Sequence, residues 1–189
     1  MPVVTKLERL REVALDQHGF VTTAQALEEG VSHAELSTMV ARDRLERVAH
    51  GVYRVPQVAE TDLDQYQLAV LWTGAPEACL SHDTALAAWE VSDINPDRIH
   101  LTVARHRRIR RGGGALYVVH YQDLDARQVT WWQAIPTVTV STAIAQCIAS
   151  GVPTYLIRQA LDRAGRTSRL PGADAEQLAA ALEARDGSA

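Results

Sequence analysis

An α+β fold is predicted by three features of the 189-residue chain. Residues 19–55 read as two short helices across a tight turn, followed by a small hairpin. Residues 99–103 and 115–121 alternate in the manner of strands. Much of the remainder carries Leu- and Ala-rich segments with the spacing of helices that bury one face. The expected organisation is an N-terminal winged helix-turn-helix over residues 1–56, a polar linker over 57–64 and a mixed α+β domain over 65–189.

Residues 6–18 form an amphipathic helix, with Leu7, Leu10, Val13 and Ala14 as its apolar stripe and Gly19 as its terminator. Thr22 and Gln25 make a capping-box pattern that opens a second helix, and Gly30 closes it. Ser32 and Glu35 repeat the pattern and open a third. That helix places Leu36, Met39 and Val40 on one side, as a buried stripe requires. Its other side shows Ala34, Ser37, Thr38, Ala41 and Arg42, which are small or polar and suit a surface that enters a groove. Residues 45–48 and 52–55 then alternate as two strands around Ala49-His50-Gly51. In a winged helix-turn-helix the second helix of the motif normally lies in a DNA major groove. The candidate DNA-contacting residues are therefore Ser32, His33, Ala34, Ser37, Thr38, Arg42, Arg44, Arg47, His50 and Arg54. Arg47 and Arg54 are expected to reach phosphates beside the groove. Ser32 is most simply a helix cap, with its backbone amide a further phosphate donor. Ordinary solvated surface is the competing reading for each arginine.

In the second domain, residues 63–72 read as a helix broken by Gly74-Ala75-Pro76, and Ser81 caps another that carries Ala85, Leu86, Ala88 and Trp89. His82 and Asp83 adjoin at its first turn, but no nucleophile or third partner stands at a recognisable spacing. Five arginines, Arg105, Arg107, Arg108, Arg110 and Arg111, fall between the two predicted strands, followed by Gly112-Gly113-Gly114. This segment is either the solvated tip of a hairpin or a loop that seeks an anion or an acidic partner. It lacks the Lys-Ser/Thr and helix of a phosphate-binding loop. Trp131 and Trp132 are expected to pack rather than stack on bases. They precede a strand over 135–140 and a helix over 141–149. Further helices are expected over 154–165, with Tyr155, Ile157, Ala160 and Leu161 inward, and over 175–184, with residues 185–189 frayed.

Composition sets the bounds. A hydrophobic content of 47% suffices for a core, and the net charge of −4 does not advertise a nucleic-acid binder. Residues 1–60 hold seven Lys or Arg against nine Asp or Glu. Phosphate neutralisation is short-ranged, so this predicts weak binding by one copy, with help from a partner, a second copy or the other domain. Cys79 and Cys147 stand far apart without metal-ligand spacing and are expected to be buried, reduced thiols. The absence of an apolar span or leader predicts a cytoplasmic protein that engages no membrane. No cofactor, metal site or catalytic residue is predicted. Metal-dependent phosphoryl chemistry needs clustered carboxylates on a strand, and Asp123 and Asp125 lie past a strand end without a partner.

Residues 19–55 closely resemble the N-terminal winged helix-turn-helix of the AbiEi-type antitoxin family. The resemblance rests on the Gly-Phe-Val-Thr-Thr entry, the Gly-Val-Ser turn, and Leu45-Glu46-Arg47-Val48 followed by Gly51-Val52-Tyr53-Arg54. The segments SHDTALAAWEV and IHLTVARHRRIRR, and the junction over 136–145, are also similar to this family. The resemblance implies the antitoxin of a type IV toxin–antitoxin pair associated with phage defence. Its partners would be a nucleotidyltransferase-like toxin and inverted repeats in its own promoter, which it would repress. Two positions depart from the family pattern. Asp43 stands where a glycine commonly ends the reading helix, and His50 where the wing often has arginine. The alternatives are a stand-alone winged-helix regulator with a ligand-sensing or dimerising second domain, and a nuclease or nucleotidyltransferase fused to the same reader.

Overall fold

The computed structural model describes residues 4–187. Its contacts divide the chain into two compact units. The first runs to Pro76 and includes residues 108–114; the second holds residues 77–107 and continues from Ala115. The α+β class holds, with a winged helix-turn-helix followed by a mixed α+β domain.

In the first unit, helix α1 (Lys6–Leu15) starts where the Thr5 hydroxyl accepts the Glu8 amide, and it buries Leu10 and Ala14. His18 and Gly19 turn the chain through left-handed backbone, φ 52° and 87°. Strand β1 (Phe20–Thr22) follows, an element the sequence pattern did not reveal. Helices α2 (Thr23–Glu28) and α3 (His33–Ala41) both begin with the capping boxes foreseen, Thr22 with Gln25 and Ser32 with Glu35. Asp43 adopts the left-handed conformation, φ 55°, in the place where the resemblance led us to look for glycine. Strands β2 (Glu46–Ala49) and β3 (Val52–Arg54) form the hairpin, with a register irregularity between Arg47 and Ala49. β3 is the centre of a three-stranded antiparallel sheet of order β1-β3-β2. Leu10, Val21, Ala26, Val31, Leu36 and Leu45 make the core beneath it.

Helix α4 (Asp64–Thr73), which the pattern had opening the second domain, packs against β1 and β3 of the first. An ion pair explains its position. Arg54 is only 6% exposed; its Nη1 donates to Asp64 Oδ2 at 2.6 Å, its Nη2 donates to the Val58 carbonyl at 3.1 Å, and its guanidinium lies over the Phe20 ring. Residues 57–64 are thus a fastened turn rather than a free tether, with Asp64 Oδ1 also accepting the Thr61 amide and hydroxyl.

The second unit is built on a five-stranded mixed sheet of order β6-β5-β4-β8-β7. Its strands are β4 (Cys79–Leu80), β5 (Ile99–Val103), β6 (Tyr117–Tyr121), β7 (Val129–Trp132) and β8 (Ile135–Val138). β5 and β6 are parallel, with Ile99 opposite Tyr117 and Val103 opposite Tyr121. The arginine-rich segment is therefore a crossover, not a hairpin tip. β7 and β8 are joined by Gln133-Ala134, both with positive φ. This is the geometry of a type I′ turn without its usual Asn-Gly signal, which is why the hairpin is not legible in the sequence. Helices α5 (His82–Ala88), α6 (Val140–Ala149), α7 (Thr154–Arg166) and α8 (Gly172–Asp186) complete the unit. Their core includes Leu86, Val138, Ile144, Cys147, Ile157 and Leu182. Both cysteines are buried and unpaired, as the spacing implied.

In the second unit, three side chains differ from expectation. Tyr155 is 71% exposed, because the buried face of α7 runs through Leu156, Ile157, Ala160 and Ala164. Trp131 is 68% exposed, while Trp132 is partly covered. Arg185, expected in a frayed end, lies within α8 and donates to the Ile148 and Val152 carbonyls. Ser188 and Ala189 fall outside the described residues.

Truncating Arg54 leaves the Asp64 carboxylate largely buried without its counter-charge, a change that typically costs about 3–5 kcal/mol. Urea unfolding of Arg54→Ala should lose stability on that scale. A loss below about 1 kcal/mol would mean that the pair does not hold α4 to the sheet.

Candidate nucleic-acid interface

The candidate surface is built from α3 outward. Leu36, 1% exposed, anchors the helix to the core, and the spacing of 3.6 residues per turn then carries His33, Ala34, Ser37, Thr38, Ala41 and Arg42 to the solvent side, where all are exposed. The Ser37 and Thr38 hydroxyls donate to the His33 and Ala34 carbonyls at 3.0 and 2.9 Å. Their oxygens keep acceptor capacity toward a ligand while the helix fixes their rotamers. Arg44 is exposed just past the helix end, beyond the left-handed Asp43.

The start of α3 is less available to phosphate than the sequence suggested. The Ser32 amide and hydroxyl both donate to Glu35 Oε2 at 2.9 Å, and Ser32 Oγ accepts the Glu35 amide. Glu35 in turn takes both bonds from Lys6 Nζ, at 2.7 and 2.8 Å. The Lys6 hydrogen bond, reinforced by those from Ser32, holds the Glu35 carboxyl at about 2. A permanent carboxylate thus occupies the positive end of the helix, so Ser32 acts as a cap and not as a phosphate donor.

Arg47 and His50 are exposed on the wing, with Gly51 at φ 70° making its tip. Arg54 is the clear correction: it points into the unit and is bonded to Asp64, so it is withdrawn from phosphate contact. The signal that could have found this was present. On β3, Val52 and Arg54 share a face by the two-residue period, and Val52 is core.

The five arginines of the crossover separate in role. Arg107 makes two bonds at 2.7 Å to the Glu77 carboxylate, which holds Glu77 below the usual carboxylate range. Arg105 is exposed, and its backbone amide donates to Asp123 Oδ1. Arg108, Arg110 and Arg111 belong to the first unit, where Arg111 Nη1 donates to the His50 carbonyl at 2.7 Å and the Trp72 indole donates to the Gly112 carbonyl at 2.8 Å. Three cations are thereby added to the unit that carries the wing, one of them bonded to the wing tip.

The module thus presents an exposed, small-residue face on α3 and a wing that carries Arg47 and His50. Residues 8–56 match the family described as "Transcriptional regulator, AbiEi antitoxin". The match covers the AbiEi-type module from α1 through β3 and stops there, so the resemblance is borne out for the N-terminal segment. The crystal structure of the RV2827C protein from Mycobacterium tuberculosis is similar at 17% identity, over 93% of this chain and 81% of that one, with a TM-score of 0.43. No curated protein matches the chain. Among the described residues no helix is long and apolar enough to cross a membrane.

The capping carboxylate of the AbiEi-type module gives the protein an acid limb. The folded value of Glu35, about 2, lies below its ordinary 4.5. The stabilisation is therefore complete above pH 4.5 and is lost as pH falls through the folded value. Melting temperatures taken across that window should fall less steeply for Glu35→Gln than for the native chain. Parallel acid limbs would remove Glu35 from the linkage.

Proposed function

We propose that this protein is an antitoxin-type repressor that binds its own promoter and neutralises a nucleotidyltransferase-like toxin. The carrying observation is the outward face of α3, lined by His33, Ala34, Ser37, Thr38 and Arg42, next to an exposed Arg47 and Arg44. In this reading the helix enters a major groove, Ser37, Thr38 and Arg42 meet base edges, and Arg44, Arg47 and His50 position the module on phosphates. Arg108, Arg110 and Arg111 supply the positive charge that residues 1–60 lack, and inverted repeats in the promoter would let two copies share one operator. The second unit is assigned to the toxin, the protein to the cytoplasm and the pair to phage defence, on the family resemblance alone. The protein is read as a non-enzyme, with Asp123 and Asp125 spent on the Arg105 and Arg127 backbone amides.

A second reading, a stand-alone regulator whose C-terminal unit takes a small ligand, draws on a cleft of about 450 Å³ in that unit. Co-expression with a nucleotidyltransferase encoded beside the gene separates the two. Rescue of growth supports the antitoxin, and unrelieved toxicity with intact promoter binding supports the regulator.

Promoter binding followed by fluorescence anisotropy against salt tests the interface. Arg47→Ala and Arg44→Ala should each weaken binding across all sequences and lower the log–log salt slope by about 1. Arg42→Ala should relax sequence preference. Unchanged slopes in both phosphate variants would take the wing out of the mechanism.

A further inference from the structure

We propose that the second unit carries a three-histidine site for a divalent transition cation, zinc foremost, made by His82, His100 and His120. The sequence offers no hint of it, because the residues stand about twenty positions apart in three different elements. The sheet brings them together. In the parallel β5–β6 pair, His100 lies opposite Val118 and Thr102 opposite His120, so both histidines project from one face. His82 follows β4 as the first residue of α5.

Each ring offers one nitrogen, and these atoms all lie within 4.8 Å of one another. His120 Nε2 and His100 Nδ1 are 3.2 Å apart, close to the roughly 3.3 Å that separates two ligands on a tetrahedral zinc with bonds of about 2.0–2.1 Å. The longest pair has to close by roughly 1.5 Å to meet the same geometry, a movement of side-chain rotation. The rings of His82 and His120 stack at 3.5 Å between centroids with planes 15° apart, so their in-plane lone pairs run nearly parallel and one ring must turn before both face a single ion.

The surroundings hold His82 in place while leaving the cluster open on one side. His82 is 6% exposed and has a left-handed backbone, φ 50°. Gln146 holds it: Oε1 accepts the His82 amide at 3.2 Å, while Nε2 donates to Gln122 Oε1. His82 Nδ1 lies 3.0 Å from Ser81 Oγ, an outer partner that, when it accepts the Nδ1 proton, leaves Nε2 for a cation. His82 and His120 line the cleft of about 450 Å³, which gives a cation an entry path and leaves a fourth coordination position for water. Asp83 and Asp97 act on His100 as negative charges, with Arg98 opposing them.

A cation is bound by the neutral form of an imidazole, so each ring can offer it one nitrogen lone pair. Without a cation, the two facing nitrogens of His100 and His120 share a hydrogen bond at 3.2 Å, which a cation would replace.

The test is a titration of the chelator-stripped, full-length chain with Zn²⁺ by calorimetry, with Co²⁺ as the spectroscopic probe. One equivalent should bind, Co²⁺ should give the strong visible absorption of a four-coordinate site, and Zn²⁺ should raise the melting temperature. His100→Gln and His120→Gln should each abolish all three responses, and His106→Gln should keep them. Ser81→Ala should keep the stoichiometry and weaken affinity about tenfold or more. Where a variant fails to fold, ring ¹⁵N shifts of the native chain decide: Zn²⁺ must move those of His82, His100 and His120. No binding at equimolar cation, or binding that survives the His100→Gln/His120→Gln pair, overturns the proposal.

Discussion

The buried guanidinium of Arg54 is the constraint around which the first unit is organised. It sits on the central strand of the small sheet, bonds to Asp64 at the start of α4, and lies against Phe20 on the neighbouring strand. Gly19 is part of the same device, since a Cβ at that position would stand 3.3 Å from Arg54 Nη1, and its φ of 87° disfavours side chains in any case. An ion pair of this kind need not add net stability over an apolar substitute of the same shape. It does specify where α4 goes, because an uncompensated buried charge penalises other placements.

That constraint bears directly on the wing. With Arg54 drawn inward, the wing presents Arg47 and His50, and the cationic character of the unit rises instead from residues 108–114. This segment reaches the first unit from a crossover between two parallel strands of the second. Parallel neighbours cannot be joined by a tight turn, so the connection must be long. Here its length is used to add Arg108, Arg110 and Arg111 to a module whose own first sixty residues are short of positive charge.

The second unit spends its buried polar groups differently. Gln146, 5% exposed, bridges the His82 amide, Thr102 and Gln122, and so locks α5 to the sheet and α6. Burial pushes the Cys79 thiol up to about 12 and raises Cys147 as well, which makes both inert packing residues.

The features set by neighbours a few residues apart were legible without coordinates. Capping boxes at Thr22 and Ser32, the stripe at Leu36 and the wing hairpin all depend on local hydrogen bonds and helix or strand period, and all formed as read. Features decided by distant partners were not legible. A three-residue strand at Phe20 exists only because β3 is there to pair with it, and nothing in Ile99–Val103 states that its neighbour will run parallel. Arg54 looks like any wing arginine until Asp64 arrives to neutralise it, and His82, His100 and His120 become a cluster only when the sheet is assembled. Short-range order follows from the order of residues, whereas burial and long-range charge pairing are properties of the finished packing.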